Sequence, residues 1–132
     1  MSPVSPKPRS EAIGFDERIG SQFLQAGIGF GGGCLPKDIR AFMARAGELG
    51  VDGALTFLRE VDAINLRRRS HAVFLAEDSV GGNLVGRTVA VLGVTFKPDT
   101  DDLRDSPALD IARRLRSRGA VVRVVDPAAT AE

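Results

Sequence analysis

The sequence has no tryptophan, no tyrosine and only one histidine among its 132 residues. With seven phenylalanines and a formal net charge of +1, the chain has few of the stacking surfaces and little of the positive charge on which nucleic-acid binding depends. Its single cysteine, Cys34, excludes an internal disulfide and a zinc site made of paired cysteines. We therefore expect no nucleic-acid partner and no metal site.

Long apolar runs are also absent. No segment approaches the roughly 20 apolar residues that cross a bilayer, and the start of the chain, MSPVSPKPRS, lacks the apolar stretch of a secretory signal. From this we expect no membrane contact and a cytoplasmic location. A composition of 43% hydrophobic and 27% charged residues is typical of a globular protein.

The first two thirds of the chain predict a short tail and a helical region. Residues 1–12, rich in proline and serine, predict a disordered tail. Residues 13–82 contain a glycine-rich loop around Cys34 and two helices: an amphipathic one over residues 36–50 and a long one over residues 52–79.

The last third, residues 83–132, predicts the start of an α/β domain. A β-branched run over residues 88–94 predicts a strand buried on both faces. A helix opened by Pro107 and a second strand over residues 121–126 follow. Strand, helix and strand form one βαβ unit, so the predicted class is α/β, with a helical region followed by an incomplete Rossmann-like unit.

The segment most informative about chemistry surrounds Cys34. The cysteine follows several glycines and directly precedes a predicted helix, whose N-terminal end favours a reactive thiolate. Asp38 lies in the first turn of that helix, where it could orient a water molecule. These features favour a nucleophilic cysteine. The alternative is that Cys34 fills a small apolar hole and Asp38 only offsets the helix dipole.

Other motifs carry less information. The glycines of residues 27–32 match G-x-G-x-x-G, but no strand precedes them and no helix follows at once, so they are not a dinucleotide fingerprint. Lys97 and Arg104 follow the first strand, where α/β sheets bind anionic ligands. The aspartates around them predict a solvated acidic loop, and the arginine run 67–69 predicts a solvated helix face.

Three segments together resemble the UDP-glucose/GDP-mannose dehydrogenase family, over roughly residues 13–127: GFGGGCLPKD, VDAIN and GRTVAVLGVTFKPDTDDLRDSP. The resemblance implies an NAD-dependent oxidoreductase that converts a sugar C6 alcohol to a carboxylate through a cysteine-bound thiohemiacetal and thioester. A nucleophile is required because hydride can leave an aldehyde carbon only after addition to it. CLPKD is most similar to the UDP-glucose and GDP-mannose branches.

The resemblance also implies roles for individual residues. It makes Cys34 the nucleophile, Asp38 the acid that assists hydrolysis and Arg104 a contact to the NAD phosphates. It makes the long helix a homodimer contact. It assigns contacts with the UDP-sugar substrate to Arg18, which reaches into a neighbouring subunit, and to Phe23, Leu24, Phe30, Gly31, Phe96 and Lys97.

The departures from the family pattern shape what we expect of this chain. The family's NAD-binding Rossmann segment is absent, as are a lysine and an asparagine that the family places before the cysteine loop. Gly33 stands where serine is common. We therefore expect little or no turnover from the chain alone. A non-catalytic dimerisation or sugar-nucleotide-binding role, a GDP-mannose substrate and a purely structural cysteine remain open alternatives.

Overall fold

The computed structural model describes residues 7–22, 24 and 27–129. Helices and strands alternate only in the second half of this part of the chain. A 3₁₀ turn over residues 52–55 leads into the third helix. The elements are α1 (Lys7–Gly14), α2 (Leu35–Glu48), α3 (Thr56–Ser79), β1 (Thr88–Leu92), α4 (Pro107–Ser117) and β2 (Val121–Val125).

The helices α2 and α3 begin and end close to where the sequence predicts. Pro36 lies in the first turn of α2, where its missing N–H leaves no hydrogen bond unmade. The chain leaves α2 at Gly50, whose φ of 70° is left-handed, as is common after a helix. The helix α3 runs for 24 residues, and Gly82 N–H closes its end on the Glu77 carbonyl. No helix in the described residues is both long and apolar enough to span a membrane.

The second half is one parallel βαβ unit. Strands β1 and β2 pair in parallel, with Thr88 opposite Val121 and Leu92 opposite Val125. Helix α4 crosses between them and is capped by Ser106, whose hydroxyl accepts the Leu109 N–H at 3.2 Å. These elements confirm the predicted α/β class.

The core lies between α3, α4 and one face of the sheet. Its buried side chains are Val73, Leu84, Leu115 and Ala120, so α3 shares one apolar core with the βαβ unit across the predicted boundary at residue 82. The sheet is buried on one face only. The prediction of burial on both faces was wrong, because α3 and α4 both pack on the same side and leave Leu92 81% exposed.

The start of the chain also differs from prediction. Residues 7–14 form α1, whereas the composition predicts a disordered tail over residues 1–12. Proline is tolerated in a first helical turn, and the following SEAI run contains residues that favour a helix. The part of the predicted tail before Lys7 lies outside the described residues.

Candidate active site

Cys34 is exposed at the N-terminal end of α2. It is the residue that caps the helix, its carbonyl accepts the Asp38 N–H at 2.8 Å, and its thiol makes no capping hydrogen bond. The thiol therefore lies at a helix N-terminus, where the first backbone N–H groups have no partner within the helix.

The thiol opens onto a cleft of about 500 Å³. The cleft lies between the glycine loop, which we define as residues 27–34, and the strand-end loop, residues 93–106, which connects β1 to α4. It brings together five of the predicted site residues from these two loops. The lining residues are Gly31, Gly32, Gly33, Cys34, Leu35, Phe96, Lys97, Thr100, Asp102 and Arg104.

The glycine loop approaches the strand-end loop so closely that side chains would not fit between them. A Cβ on Gly31 would overlap the Asp105 carbonyl oxygen and lie 2.7 Å from Cδ of Pro107. Gly32 has a φ of 92°, and its N–H donates to the Arg104 carbonyl at 3.0 Å. The glycines thus serve a close backbone contact that seats Cys34 at the edge of the cleft.

The strand-end loop is shaped by its own hydrogen bonds. Phe96 N–H donates to the Asp102 carbonyl at 3.0 Å, and the Thr95 hydroxyl donates to the Lys97 carbonyl at 3.0 Å. The Phe96 ring faces Gly32, and Lys97 Nζ lies 5.4 Å from the centre of that ring. An aromatic face and a cation therefore stand opposite the thiol.

Asp126, at the end of β2, holds the beginning of the strand-end loop. Its Oδ2 accepts the N–H groups of Val94 at 2.7 Å and Thr95 at 3.3 Å, while its Oδ1 accepts those of Ala128 and Ala129. Backbone hydrogen bonds, led by the one from Val94, lower the pKa of Asp126 to about 2.

Arg104 and Asp102 form an ion pair at the rim of the cleft. Arg104 Nε and Nη2 both donate to the Asp102 carboxylate, at 3.0 and 2.8 Å. These bonds lower the pKa of Asp102 to about 2 and raise that of Arg104. The guanidinium lies against the backbone of Gly33 and is 75% exposed, so it fits an anionic phosphate, the role that the resemblance implies toward NAD.

Two buried residues of α3 hold the glycine loop, and the sequence analysis missed both as site residues. Asn65 Oδ1 accepts the Phe30 N–H at 2.8 Å, and its Nδ2 donates to the Phe30 carbonyl at 3.0 Å. Arg69 is 3% exposed and donates to the Asp105 carboxylate at 2.9 Å. The prediction that the arginine run 67–69 is solvated was wrong for Arg69.

A signal for this pair is present in the sequence. Asn65, Arg69 and Val73 recur at four-residue steps and are the buried positions of α3, so the apolar stripe of the helix continues into two polar side chains. A polar residue on a buried stripe needs hydrogen-bond partners. Arg67, two residues earlier than Arg69, is exposed and pairs with Glu60.

Several predicted site residues lie away from the Cys34 cleft. Asp38 is exposed, 3.3 Å from Lys37 Nζ, and lines an apolar groove between α2 and α3. Phe30 lines a separate cleft against α3. Arg18 pairs with Asp16, and their hydrogen bonds lower the pKa of the aspartate.

The remaining predictions for site residues concern two residues of the loop before the glycines. Leu24 is half-buried in that loop, and Phe23 lies outside the described residues. In the described part of the chain, no group of three or more histidine, cysteine or acidic side chains has the arrangement of a metal site.

Comparison with known proteins identifies the class. The central domain of the UDP-glucose/GDP-mannose dehydrogenase family matches residues 9–67, and the UDP-binding domain of the same family matches residues 90–132. The chain therefore belongs to the UDP-glucose/GDP-mannose dehydrogenase family. The NAD-binding domain of these dehydrogenases lies outside the matched parts.

Individual relatives agree with this assignment. UDP-glucose 6-dehydrogenase YwqF of Bacillus subtilis is 45% identical over 89% of this chain, and the Pseudomonas aeruginosa UDP-glucose 6-dehydrogenase is 43% identical over 90%. The chain spans about a quarter of the length of these relatives, 26% in each case.

Solved structures show the same fold. A UDP-glucose dehydrogenase from Pyrobaculum islandicum superimposes with a TM-score of 0.81 at 45% identity over 91% of this chain and 27% of its own. A GDP-mannose dehydrogenase from Pseudomonas aeruginosa superimposes with a TM-score of 0.71 at 30% identity over 92% of this chain and 27% of its own.

Proposed function

We propose that Cys34 is the nucleophile of a UDP-glucose 6-dehydrogenase, which oxidises the sugar C6 alcohol to a carboxylate. One observation carries the proposal: the exposed thiol shares a cleft with Phe96, Lys97 and Arg104, which come from a different part of the chain. An aromatic ring, two cations and a thiol at a helix N-terminus suit a phosphorylated carbohydrate that reacts at carbon.

The chain's own residues support a defined covalent step. The Cys34 thiolate adds to the C6 aldehyde carbon, so a sulfur–carbon bond forms, the carbonyl electron pair moves to oxygen, and that oxygen takes a proton. Lys97 offers positive charge to the sugar-nucleotide diphosphate, and Phe96 packs beside the glycine loop. Asp38 is given no part in this step, because it lines the groove between α2 and α3 and not the Cys34 cleft.

NAD accepts hydride when it is bound to such an enzyme. In this chain, Arg104 is the residue proposed to pair with its phosphates, because the guanidinium is exposed at the rim of the cleft. Asp102 keeps the guanidinium at that position.

UDP-glucose is favoured over GDP-mannose as the substrate. The relatives named UDP-glucose 6-dehydrogenase are 43 to 45% identical to this chain, whereas the GDP-mannose dehydrogenase of known structure is 30% identical. Competition between the two sugar nucleotides for binding to the chain measures this preference. Tighter binding of GDP-mannose would reverse it.

The covalent step can be tested without a hydride acceptor. We expect the 6-aldehyde of UDP-glucose, labelled with ¹³C at C6, to give a thiohemiacetal carbon signal with the chain and none with the Cys34→Ser variant. Lys97→Met should weaken adduct formation, because positive charge beside the diphosphate is lost. The control without a nucleotide is the same ¹³C-labelled sugar aldehyde lacking UDP.

Each outcome of this experiment separates the open alternatives. Binding of UDP-glucose with no adduct would favour a non-catalytic sugar-nucleotide-binding role. An equally strong adduct with the free sugar aldehyde would show a reactive thiol without nucleotide recognition. Inert Cys34 and no binding would favour a structural cysteine.

A homodimer through the long helix is part of the proposal. The groove between α2 and α3, about 590 Å³ in volume, exposes Phe42 and Phe57 by more than half, as expected of a surface that packs against another chain. Light scattering should give a dimer for the chain and a monomer for Phe57→Glu.

The cytoplasm is the proposed location, because a reducing compartment keeps the single thiol reactive.

A further inference from the structure

We propose that Asn65 and Arg69 are positioning residues that fix the glycine loop against the strand-end loop, so that Cys34 faces Phe96 and Arg104 across the cleft. The catalytic importance of this alignment rests on the proposed function, in which the Cys34 thiol is the nucleophile. Neither side chain lines the Cys34 cleft.

Asn65 sets the position of the glycine loop by binding both backbone polar groups of one residue, Phe30. Its amide accepts the N–H of Phe30 and donates to the carbonyl of the same residue, a pairing like that between neighbouring strands. A Cβ on Gly29 would overlap the Asn65 amide. The glycine loop is therefore fixed to α3 at Phe30, four residues before Cys34.

Arg69 connects the glycine loop at Phe30 to the strand-end loop. Its Nη2 donates to the Phe30 carbonyl at 3.2 Å and to the Asp105 carbonyl at 3.4 Å. Its Nη1 donates to the Asp105 carboxylate at 2.9 Å and lies 3.4 Å from that of Asp110. One planar guanidinium thus holds both sides of the cleft in a fixed relation.

This relation reaches the reactive groups through very short stretches of chain. Asp105 is the neighbour of Arg104, whose carbonyl accepts the Gly32 N–H, and Gly32 is two residues from Cys34. A shift of the glycine loop on α3 would therefore move the thiol relative to Arg104 and Phe96. Displacements of about 1 Å are enough to impair a reaction that depends on alignment.

The energetics favour alignment over stabilisation as the contribution of this pair. A buried ion pair is often no more stabilising than apolar side chains of the same volume. Among the described residues, Arg69 Nε and Asp105 Oδ2 are buried with no hydrogen-bond partner, which reduces any net gain further. What the arginine supplies that an apolar residue cannot is directional contact with both loops.

The test compares Arg69→Met with Arg67→Met in the same chain. Arg67 is the matched control, because it lies on the same helix but is exposed and pairs only with Glu60 in the described structure. A nitroxide attached to Cys34, the only thiol, should broaden the backbone amide signals of Phe96 and Lys97. We expect that broadening to fall at least about twofold in Arg69→Met and to stay unchanged in Arg67→Met.

Amide hydrogen exchange of the unlabelled variants gives a second readout. We expect Gly32 N–H exchange to rise about tenfold or more in Arg69→Met, while Val91 in the sheet keeps its protection. Asn65→Ala should raise exchange of Phe30 N–H in the same way, because its acceptor is removed. A merely stabilising pair would change all three amides together.

Arg69→Lys keeps the experiment decisive if Arg69→Met does not fold. Lysine keeps the charge but has a single donor nitrogen in place of the planar guanidinium. For Arg69→Lys we therefore expect the broadening at Phe96 and Lys97 and the amide exchange of the glycine loop to lie between the values of the parent and those of Asn65→Ala. Folded variants with broadening and Gly32 exchange within twofold of the parent would overturn the proposal. Loss of folding in both Asn65→Ala and Arg69→Lys would also overturn it, since the pair would then carry the fold itself.

These readouts need neither substrate nor cofactor, so they fail independently of the proposed function. Loops that stay aligned only with Asn65 and Arg69, in a chain that forms no adduct with the UDP-glucose aldehyde, would leave the alignment standing and refute the proposed chemistry. An adduct that forms equally in all variants, with unchanged broadening, would refute the alignment alone.

Discussion

The two loops that face each other across the Cys34 cleft are held in different ways. The strand-end loop is held by its own side chains and by Asp126, through bonds to Val94 and Thr95. The glycine loop has few side chains, and the hydrogen bonds that hold it come from Asn65 and Arg69 on α3 and from the Arg104 carbonyl. The position of the thiol is therefore decided by residues outside the loop that carries it.

The difference follows from what each loop does. A loop that presents Phe96 and Lys97 to a ligand needs side chains, and the same residues can stabilise its turns. A loop that must approach another backbone closely has no room for side chains, so its hydrogen bonds must come from elsewhere. Substitutions that alter one loop or the other test this difference.

The largest effect is expected from Gly31→Ala. The new Cβ would overlap the Asp105 carbonyl and crowd Pro107, so the glycine loop would have to move away from the strand-end loop. We expect the free energy of unfolding to fall by about 3 kcal/mol, measured by urea denaturation. Gly47→Ala is the control: nothing lies within 4 Å of its Cβ position in helix α2, and alanine there should stabilise by about 0.5–1 kcal/mol. Equal effects at the two glycines would contradict the close contact.

A smaller effect is expected from Ser106→Ala, which removes a side chain from the strand-end loop. Its hydroxyl caps α4 by accepting the Leu109 N–H, and loss of such a cap lowers the free energy of unfolding by about 1 kcal/mol. Ser117→Ala removes an exposed hydroxyl that bonds only to the Arg114 carbonyl in the described structure and should change stability by less than about 0.5 kcal/mol. A Ser106 variant as stable as the Ser117 variant would show that the cap does not support this loop.

The last effect is a change in the pH dependence of stability, and it comes from the charge on Asp126. Its pKa is lowered from 3.8 to about 2, so its stabilising contribution is complete above about pH 4 and is lost as pH falls from about 4 to about 2. With Asp126→Asn, the free energy of unfolding should fall less steeply as pH decreases through that window. The slope against pH should change by at most the amount that corresponds to one bound proton, about 1.4 kcal/mol per pH unit. Urea denaturation at a series of acidic pH values measures the slope. A slope equal to that of the parent chain would indicate that the carboxylate does not hold the strand-end loop.

Much of the architecture could be predicted from the sequence, because helix and strand signals are local. Pro36 and Gly50 mark α2, and Pro107 and Gly119 mark α4, close to the observed bounds. The glycines before Cys34 and the helix after it predicted a thiol at a helix N-terminus, and the structure shows that this residue is exposed. Position after the first strand indicated Lys97 and Arg104, the resemblance added Phe96, and the structure brings all three to the same cleft.

The errors arose where burial depends on packing between distant segments. Periodicity marks a helix face but does not say that an arginine on it will meet Asp105, 36 residues away. An apolar strand likewise does not show how many of its faces will be covered. The structure also places Asp38 and Phe30 in clefts separate from the Cys34 cleft and pairs Arg18 with Asp16, which short motifs do not indicate.

The sequence by itself determined the order of helices and strands from α2 onward, the helix N-terminus at Cys34 and the membership of a dehydrogenase family. These properties depend on neighbouring residues, through backbone preference, capping and short motifs. Only the tertiary structure decided which loops face each other and that Asn65 and Arg69 join them. That decision depends on pairs more than 30 residues apart, and such pairs form only when the segments that carry them pack against each other.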